Sequence, residues 1–188
     1  GEKPIRVGLI GSGFLARGLS HLLAKNTDFE VTHVLTRRPA DGSSNYGLSV
    51  ENDQITNNID ELIDDAELVL ECSGDAVHAT AMLSKVMDAE LPIVTMDAEL
   101  HVTTGSWLSK KGLITEAEGD QPGSIAALHE DAVSMGFTPV VYGNVKGFLN
   151  HTPSPEDMTY WSDRNGISLT QVTSFTDGTK VHAEQVLV

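Results

Sequence analysis

Cysteine is almost absent from this 188-residue chain. Cys72 is the only one, which rules out an intramolecular disulfide framework and fits a reducing compartment. Basic residues are scarce as well: 12 Lys and Arg stand against 27 Asp and Glu, a formal charge of −15. Such a mean field repels phosphate and argues against non-specific binding to nucleic acid or to an anionic membrane. A phosphate site must then be built locally, from backbone amides and a few placed cations. No apolar run approaches the length of a membrane span, and no signal-peptide pattern opens the chain, so the expected location is the cytoplasm. Internal repeats, heptads and low-complexity tracts are missing too.

What is present begins with "VGLIGSGFLARGLSHLL". Ile5, Val7, Leu9 and Ile10 form a short apolar run that suits a buried strand. Phe14, Leu15, Leu19, Leu22 and Leu23 then recur at helical spacing, so Gly11 and Gly13 fall on a strand-to-helix turn. Such a turn presents unpaired backbone N–H groups at the positive end of a helix, a natural seat for a phosphate. Gly11, Gly13 and Ala16 match the dinucleotide fingerprint in its Ala-ending form. Gly11 makes the tight turn, Gly13 admits a pyrophosphate to the backbone of Phe14 and Leu15, and Ala16 keeps helix and strand close. Gly18 is available for further close packing. The plain alternative is a structural turn that needs positive φ and holds nothing.

The next strand-like run, "FEVTHVL", leads into Thr36, Arg37, Arg38 and Pro39. A domain selective for NAD carries Asp or Glu here for the ribose hydroxyls, about 20 residues beyond the glycines. This chain carries two arginines instead, planar and permanently charged forks suited to a 2′-phosphate. NADP is therefore the expected cofactor, with NAD as the alternative if Arg37 and Arg38 are only solvated loop charges. "PADGSSNYG", which follows, has loop composition and leaves their placement open.

Further along, "IDELIDD" predicts a short helix, "AELVLECSG" a buried strand, and a second strand-to-helix turn follows with its helix starting near Asp75. Ser73 and Gly74, at that strand end, are candidate cofactor contacts. Cys72 reads as core, not as a nucleophile. A strand near 92–96 precedes "TMDAEL". This alternation predicts an α/β fold, a Rossmann-type doubly wound parallel sheet whose strand ends form one crevice. Past residue 112 the pattern predicts a strand at 113–115, a loop at "EGDQPG", a helix over 123–136, a strand and turn at "TPVVYGNVKG", a helix opening at Ser154–Glu156, and a loop at 176–178 before a last helix. That helix stops without a cap, so a piece of a longer protein is expected.

The glycine turn together with "ECSGD", "TMDAEL", "EGDQPGS", "GNVKGFLN" and "TSFTDGTK" resembles the homoserine dehydrogenase-like NAD(P)-dependent oxidoreductases. It looks most like the branch of 1-deoxy-D-xylulose 5-phosphate reductoisomerase-like enzymes with a carboxy-terminal SAF domain, of which this chain would lack the SAF part. The resemblance implies a cofactor domain over 1–145 and, over 146–188, the start of an α+β catalytic and dimerisation domain. It also implies a homodimer, hydride transfer to or from a small polar hydroxy or carbonyl compound, and a lysine that handles the accompanying proton. The residues offer Lys146 in "GNVKG" and Lys180 in "DGTK" for that role, each in a glycine-punctuated turn, with Asp120 and Asp177 as partner carboxylates and Glu118 and Glu184 behind them. All of these could equally be surface charges or turn formers.

Two substrates follow from the resemblance: 1-deoxy-D-xylulose 5-phosphate, a sugar phosphate that is reductively isomerised, or homoserine. The departure of "EGDQPGS" from a glycine-rich form weighs against homoserine. The reductoisomerase reaction would call for a divalent metal. No metal spacing appears, and His78, His101, His129, His151 and His182 are scattered, so no metal ligands are assigned. From a different class comes a non-catalytic regulatory module that binds NADP without turnover.

Overall fold

A computed structural model describes residues 3–118, 121–143 and 150–177. The chain divides into two compact units, Gly1–Thr115 and Glu116–Val188. The first is built on strands β1 (Ile5–Ile10), β2 (Phe29–Leu35), β3 (Ile55–Thr56), β4 (Leu68–Glu71) and β5 (Ile93–Thr95). Strand β6 (Ile114–Glu116) lies at the boundary and completes a six-stranded sheet in the order β3-β2-β1-β4-β5-β6. β1 pairs in parallel with both β2 and β4, so consecutive crossovers leave in opposite directions from the middle of the sheet. That reversal is where open α/β sheets place their ligands.

The central strands read as nearly continuous apolar runs because both of their faces are covered. Ile10, Leu35 and Val69 point into one core cluster with Leu62, Leu83 and Leu100. Their neighbours Leu9, Val34 and Leu70 point into the other, against Ala16. Helices α2 (Ile59–Asp65) and α3 (Ala76–Asp88) supply the first layer and α1 (Phe14–Leu23) the second. Gly8 has no side chain because a Cβ there would stand 2.4 Å from Leu62 Cδ2, a fully buried neighbour on α2.

Helix starts follow the sequence rules. Asn58 caps α2 at Asp60 N, and Asp75 caps α3 at His78 N. After β5 the backbone runs through α4 (Ala98–Leu100), a π-turn at His101–Gly105 and α5 (Ser106–Leu108), none of which was anticipated. Register aligns the carboxyl ends of the strands: Ile10 sits opposite Leu35 and Glu71, and Glu71 opposite Thr95. The residues that follow each of these four therefore share one edge of the sheet.

In the second unit, α6 spans Gln121–Ser134, two residues earlier than its pattern predicts, and ends where Phe137 N bonds Ala132 O across Gly136 at φ +88°. Helix α7 (Pro155–Asn165) opens on a capping box between Ser154 and Asp157 and closes on Gly166 at φ +64°. Helix α8 (Leu169–Thr176), which the sequence pattern did not predict, is again started by a capping box, Ser168 with Gln171, and ends where the loop at 176–178 was expected. The strand expected within "TPVVYG" is not formed over residues 138–143; Val140 and Val141 are both exposed, with no alternation of buried and open faces. Among the described residues no helix is long and apolar enough to cross a membrane.

Candidate functional site

The chain leaves β1 at Gly11 with φ +113°, a conformation that L side chains rarely adopt. Gly11 N donates to Leu35 O at 3.0 Å, tying the turn to the end of β2. On its other side a Cβ would meet the carbonyl of Cys72 and Ser73 Cα, each at 3.0 Å. Ser12 is buried against Thr36, their hydroxyls 2.7 Å apart. Gly13, the N-cap of α1, offers no side-chain cap, and nothing lies within 4 Å of where its Cβ would be. The first turn of α1 at Phe14 and Leu15 thus has uncapped amides beside open space, while Ala16 is fully buried against the sheet. Gly11 thus makes the tight turn and Ala16 the close helix–strand packing, and the position of Gly13 is sterically open. Gly18 does not extend that packing: the position is exposed, with nothing within 4 Å of a Cβ.

At the end of β2 a cleft of about 480 Å³ is lined by Thr36, Arg37, Arg38, Asn57, His78 and Met82, among others. Asn57 Nδ2 donates to the carbonyls of Thr36 and Arg38 at 2.6 and 2.7 Å, and Arg38 N donates to Thr36 Oγ1 at 3.1 Å. The backbone of the double-arginine segment is therefore clamped. The two side chains fare differently. Arg37 Nη1 donates to Asp75 Oδ2 at 2.8 Å, whereas the Arg38 guanidinium lies 4.9 Å from the centroid of the Tyr46 ring. The His78 amide and then Arg37 hold the Asp75 carboxyl below its ordinary range. Burial, followed by Arg37, lowers the pKa of His78, so the cleft's fixed positive charge comes from the arginines.

Beyond β4 and β5 lies a feature that the sequence reading missed. Glu71 is fully buried and accepts from Ser73 N at 2.8 Å, Ser73 Oγ at 2.6 Å and Thr95 Oγ1 at 2.7 Å. Thr95 Oγ1 in turn accepts from Asp97 N at 3.0 Å. Asp97, also buried, caps α4 through Oδ1 to Leu100 N at 3.1 Å. Burial, then the charge of Glu71, pushes the Asp97 carboxyl up to about 7. The available signal was an acid closing an apolar strand, Glu71 after "LVL", followed at the next strand end by Asp97. Ser73 is consequently oriented by Glu71, leaving its oxygen lone pairs as the part that can meet a ligand. Gly74 follows at φ +68°. Ser73 and Gly11 lie against each other, so the glycine turn and the β4 end form one surface.

In the second unit, Asp177 caps α8 and its carbonyl oxygen lies 3.1 Å from His151 Nδ1. Glu118 accepts from Ser124 Oγ through its backbone oxygen. Asp120, Lys146, Lys180, His182 and Glu184 lie outside the described residues. Among the described residues no group of three or more His, Cys, Asp or Glu is arranged to hold a metal ion.

The strand order and the glycine turn after β1 define the first unit as a Rossmann-type α/β fold. Residues 119–188 match the family model of the catalytic domain of oxidoreductase DRL. Among solved structures, a homoserine dehydrogenase from Thiobacillus denitrificans superimposes with a TM-score of 0.55 and 20% identity, over 70% of this chain and 34% of that one. A homoserine dehydrogenase from S. aureus gives a TM-score of 0.52 and 15% identity, over 61% of this chain and 33% of that one. These likenesses carry the fold, and the matched region spans about a third of either dehydrogenase. No curated protein matches the chain.

Proposed function

We propose that this chain is part of an NADP-dependent oxidoreductase that moves hydride to or from a small polar hydroxy or carbonyl compound. The observation that carries the reading is the surface at the switch point of the sheet. There an uncapped α1 N-terminus opens beside Gly13, and a cleft containing Arg37 and Arg38 lies at the adjoining strand end. NADP fits these residues. The amides around Phe14 and Leu15 suit its pyrophosphate, Arg37 and Arg38 its 2′-phosphate, and Ser73 and Gly74 its ribose and nicotinamide end. When bound, it supplies or accepts the hydride. The absence of an acid after Leu35, where Thr36 and the two arginines stand, favours NADP over NAD.

On this reading residues 1–145 carry the cofactor and 146–188 contribute to the part that carries substrate, a division placed later in the chain than that between the two compact units. Hydride delivery to a carbonyl leaves alkoxide charge, and a lysine ammonium is suited to stabilise and protonate it. Lys146 and Lys180 are the proposed groups, with Asp120 and Asp177 to orient them. The match of 119–188 to an oxidoreductase catalytic domain takes in all four of these residues and supports assigning chemistry to them. Within that class the reading extends to a sugar phosphate undergoing reductive isomerisation, 1-deoxy-D-xylulose 5-phosphate.

Calorimetric titration of the chain with NADPH and NADH, repeated on Arg37→Ala and Arg38→Ala, tests the cofactor half. A hydrogen bond to a charged group contributes about 1.5–3 kcal/mol. Wild type is therefore expected to bind NADPH at least tenfold more tightly than NADH. Arg38→Ala should remove most of that margin, and Arg37→Ala less of it, because Arg37 already shares a donor with Asp75. Equal binding of the two nucleotides would remove the NADP reading.

A further inference from the structure

The segment from 39 to 50 has loop composition, yet its backbone is fixed by a chain of local bonds that centres on Tyr46. Tyr46 N donates to Ser44 Oγ at 3.0 Å, Gly47 N to Asn45 Oδ1 at 3.1 Å, and Leu48 N to Asn45 O at 3.0 Å. The Tyr46 hydroxyl reaches back to donate to the carbonyl of Pro39. Its ring is half-buried and packs on the core cluster that Leu9, Val34 and Leu70 form. Tyr46 does all this at φ +55°, in the left-handed region that an aromatic residue rarely occupies. Backbone strain of this kind persists only where the surroundings over-determine it, and it concentrates at sites that need pre-organisation.

The ring's outer face supports Arg38. A guanidinium stacked on an aromatic face uses its π-surface for that contact and keeps its N–H groups in plane at the rim. Among the described residues no oxygen accepts from the Arg38 side chain, although it lines the cleft at the end of β2. Arg37, its neighbour, is by contrast held by Asp75. One arginine of the pair is thus tethered to a carboxylate, and the other is propped open with its donors unspent.

We propose that Tyr46 is the positioning residue that sets cofactor choice: by stacking under Arg38 it holds the guanidinium ready for the 2′-phosphate of an adenine dinucleotide. This rests on the NADP reading above and adds the residue that enforces it. A flexible arginine must lose rotamer freedom when it captures a phosphate, and a ring that has already fixed it removes part of that cost.

The experiment compares adenosine 2′,5′-bisphosphate with 5′-AMP, two probes that differ only in the 2′-phosphate, by calorimetry on the chain and three variants. Wild type is expected to prefer the bisphosphate. Tyr46→Phe, which keeps the ring and loses the bond to Pro39, should hold that preference within about twofold. Tyr46→Leu should lose about three- to tenfold of it with 5′-AMP affinity unchanged, an effect that a general loss of structure would not produce. Tyr46→Trp, which offers a stronger cation–π face, should keep or raise the preference, and it decides the matter if the leucine variant fails to fold. Undiminished preference in Tyr46→Leu, or loss of preference in Tyr46→Trp, overturns the role of the ring while leaving the NADP reading intact. Equal loss in Tyr46→Phe and Tyr46→Leu assigns the effect to the hydroxyl clamp and overturns the proposal as stated. If wild type itself shows no preference for the bisphosphate, the NADP reading falls and this inference falls with it.

Discussion

Gly11→Ala is expected to lower the melting temperature by about 10 °C and to abolish NADPH binding, measured by calorimetry on the folded fraction. Two costs add at this position. The backbone sits at φ +113°, far outside the left-handed basin that an L residue can share with glycine. A Cβ would also stand 3.0 Å from the Cys72 carbonyl and from Ser73 Cα, which are backbone atoms at the end of β4 and cannot rotate away. Together these cost on the order of 2–4 kcal/mol, and each kcal/mol moves the melting temperature of a domain this size by about 2–4 °C. Relief by displacement is the alternative, and it would swing the first turn of α1 away from Ser73. Either way the surface that joins the glycine turn to the β4 end is broken. A variant that melts and binds like wild type would show that the turn holds nothing and tolerates a side chain.

Asp97→Asn is expected to act through pH. In the folded chain burial and the Glu71 charge raise the Asp97 pKa from 3.8 to about 7. The folded state therefore holds a proton that the unfolded state releases more easily. The Asp97 contribution is most favourable below pH 4, falls as pH rises toward 7, and is flat above that. At 1.36 kcal/mol for each pH unit of displacement, the loss at pH 8 is on the order of 4 kcal/mol. Asparagine keeps an oxygen for Leu100 N and carries no charge. Urea unfolding at pH 5, 6, 7 and 8 should show the wild type losing stability relative to the variant as pH rises, with the variant more stable at pH 8. An unchanged difference would mean that Asp97 titrates as an ordinary surface acid.

The parallel sheet was legible because burial on both faces leaves a plain mark: Val7, Leu9 and Ile10, then Val34 and Leu35, then Val69 and Leu70, each run bounded by small or polar residues. The glycine turn was legible for the same reason, since it falls between a run of that kind and a helical period. Composition misleads where a local conformation depends on partners elsewhere. "PADGSSNYG" reads as an unfixed loop, and only its folding onto Pro39, Arg38 and the core gives Tyr46 its place. Glu71 and Asp97 were not legible as neighbours, because no one-dimensional pattern reveals that β4 and β5 end side by side. "PVVY" has the residues of a strand, but residues 138–143 form none, because a strand exists only by pairing.

Cys72 directly follows β4 with its Sγ 3.4 Å from the Ile10 carbonyl of β1, buried, with its thiol pKa pushed up by burial and then by Glu71. The reactive form of a thiol is the thiolate, so this sulfur is inert to alkylation and oxidation while the two strands stay together. It is also the chain's sole sulfhydryl, which leaves nothing else to react. A thiol reagent applied under native conditions therefore counts separations of β1 from β4 one molecule at a time. A cofactor held across those same strand ends would slow the count in proportion to its occupancy.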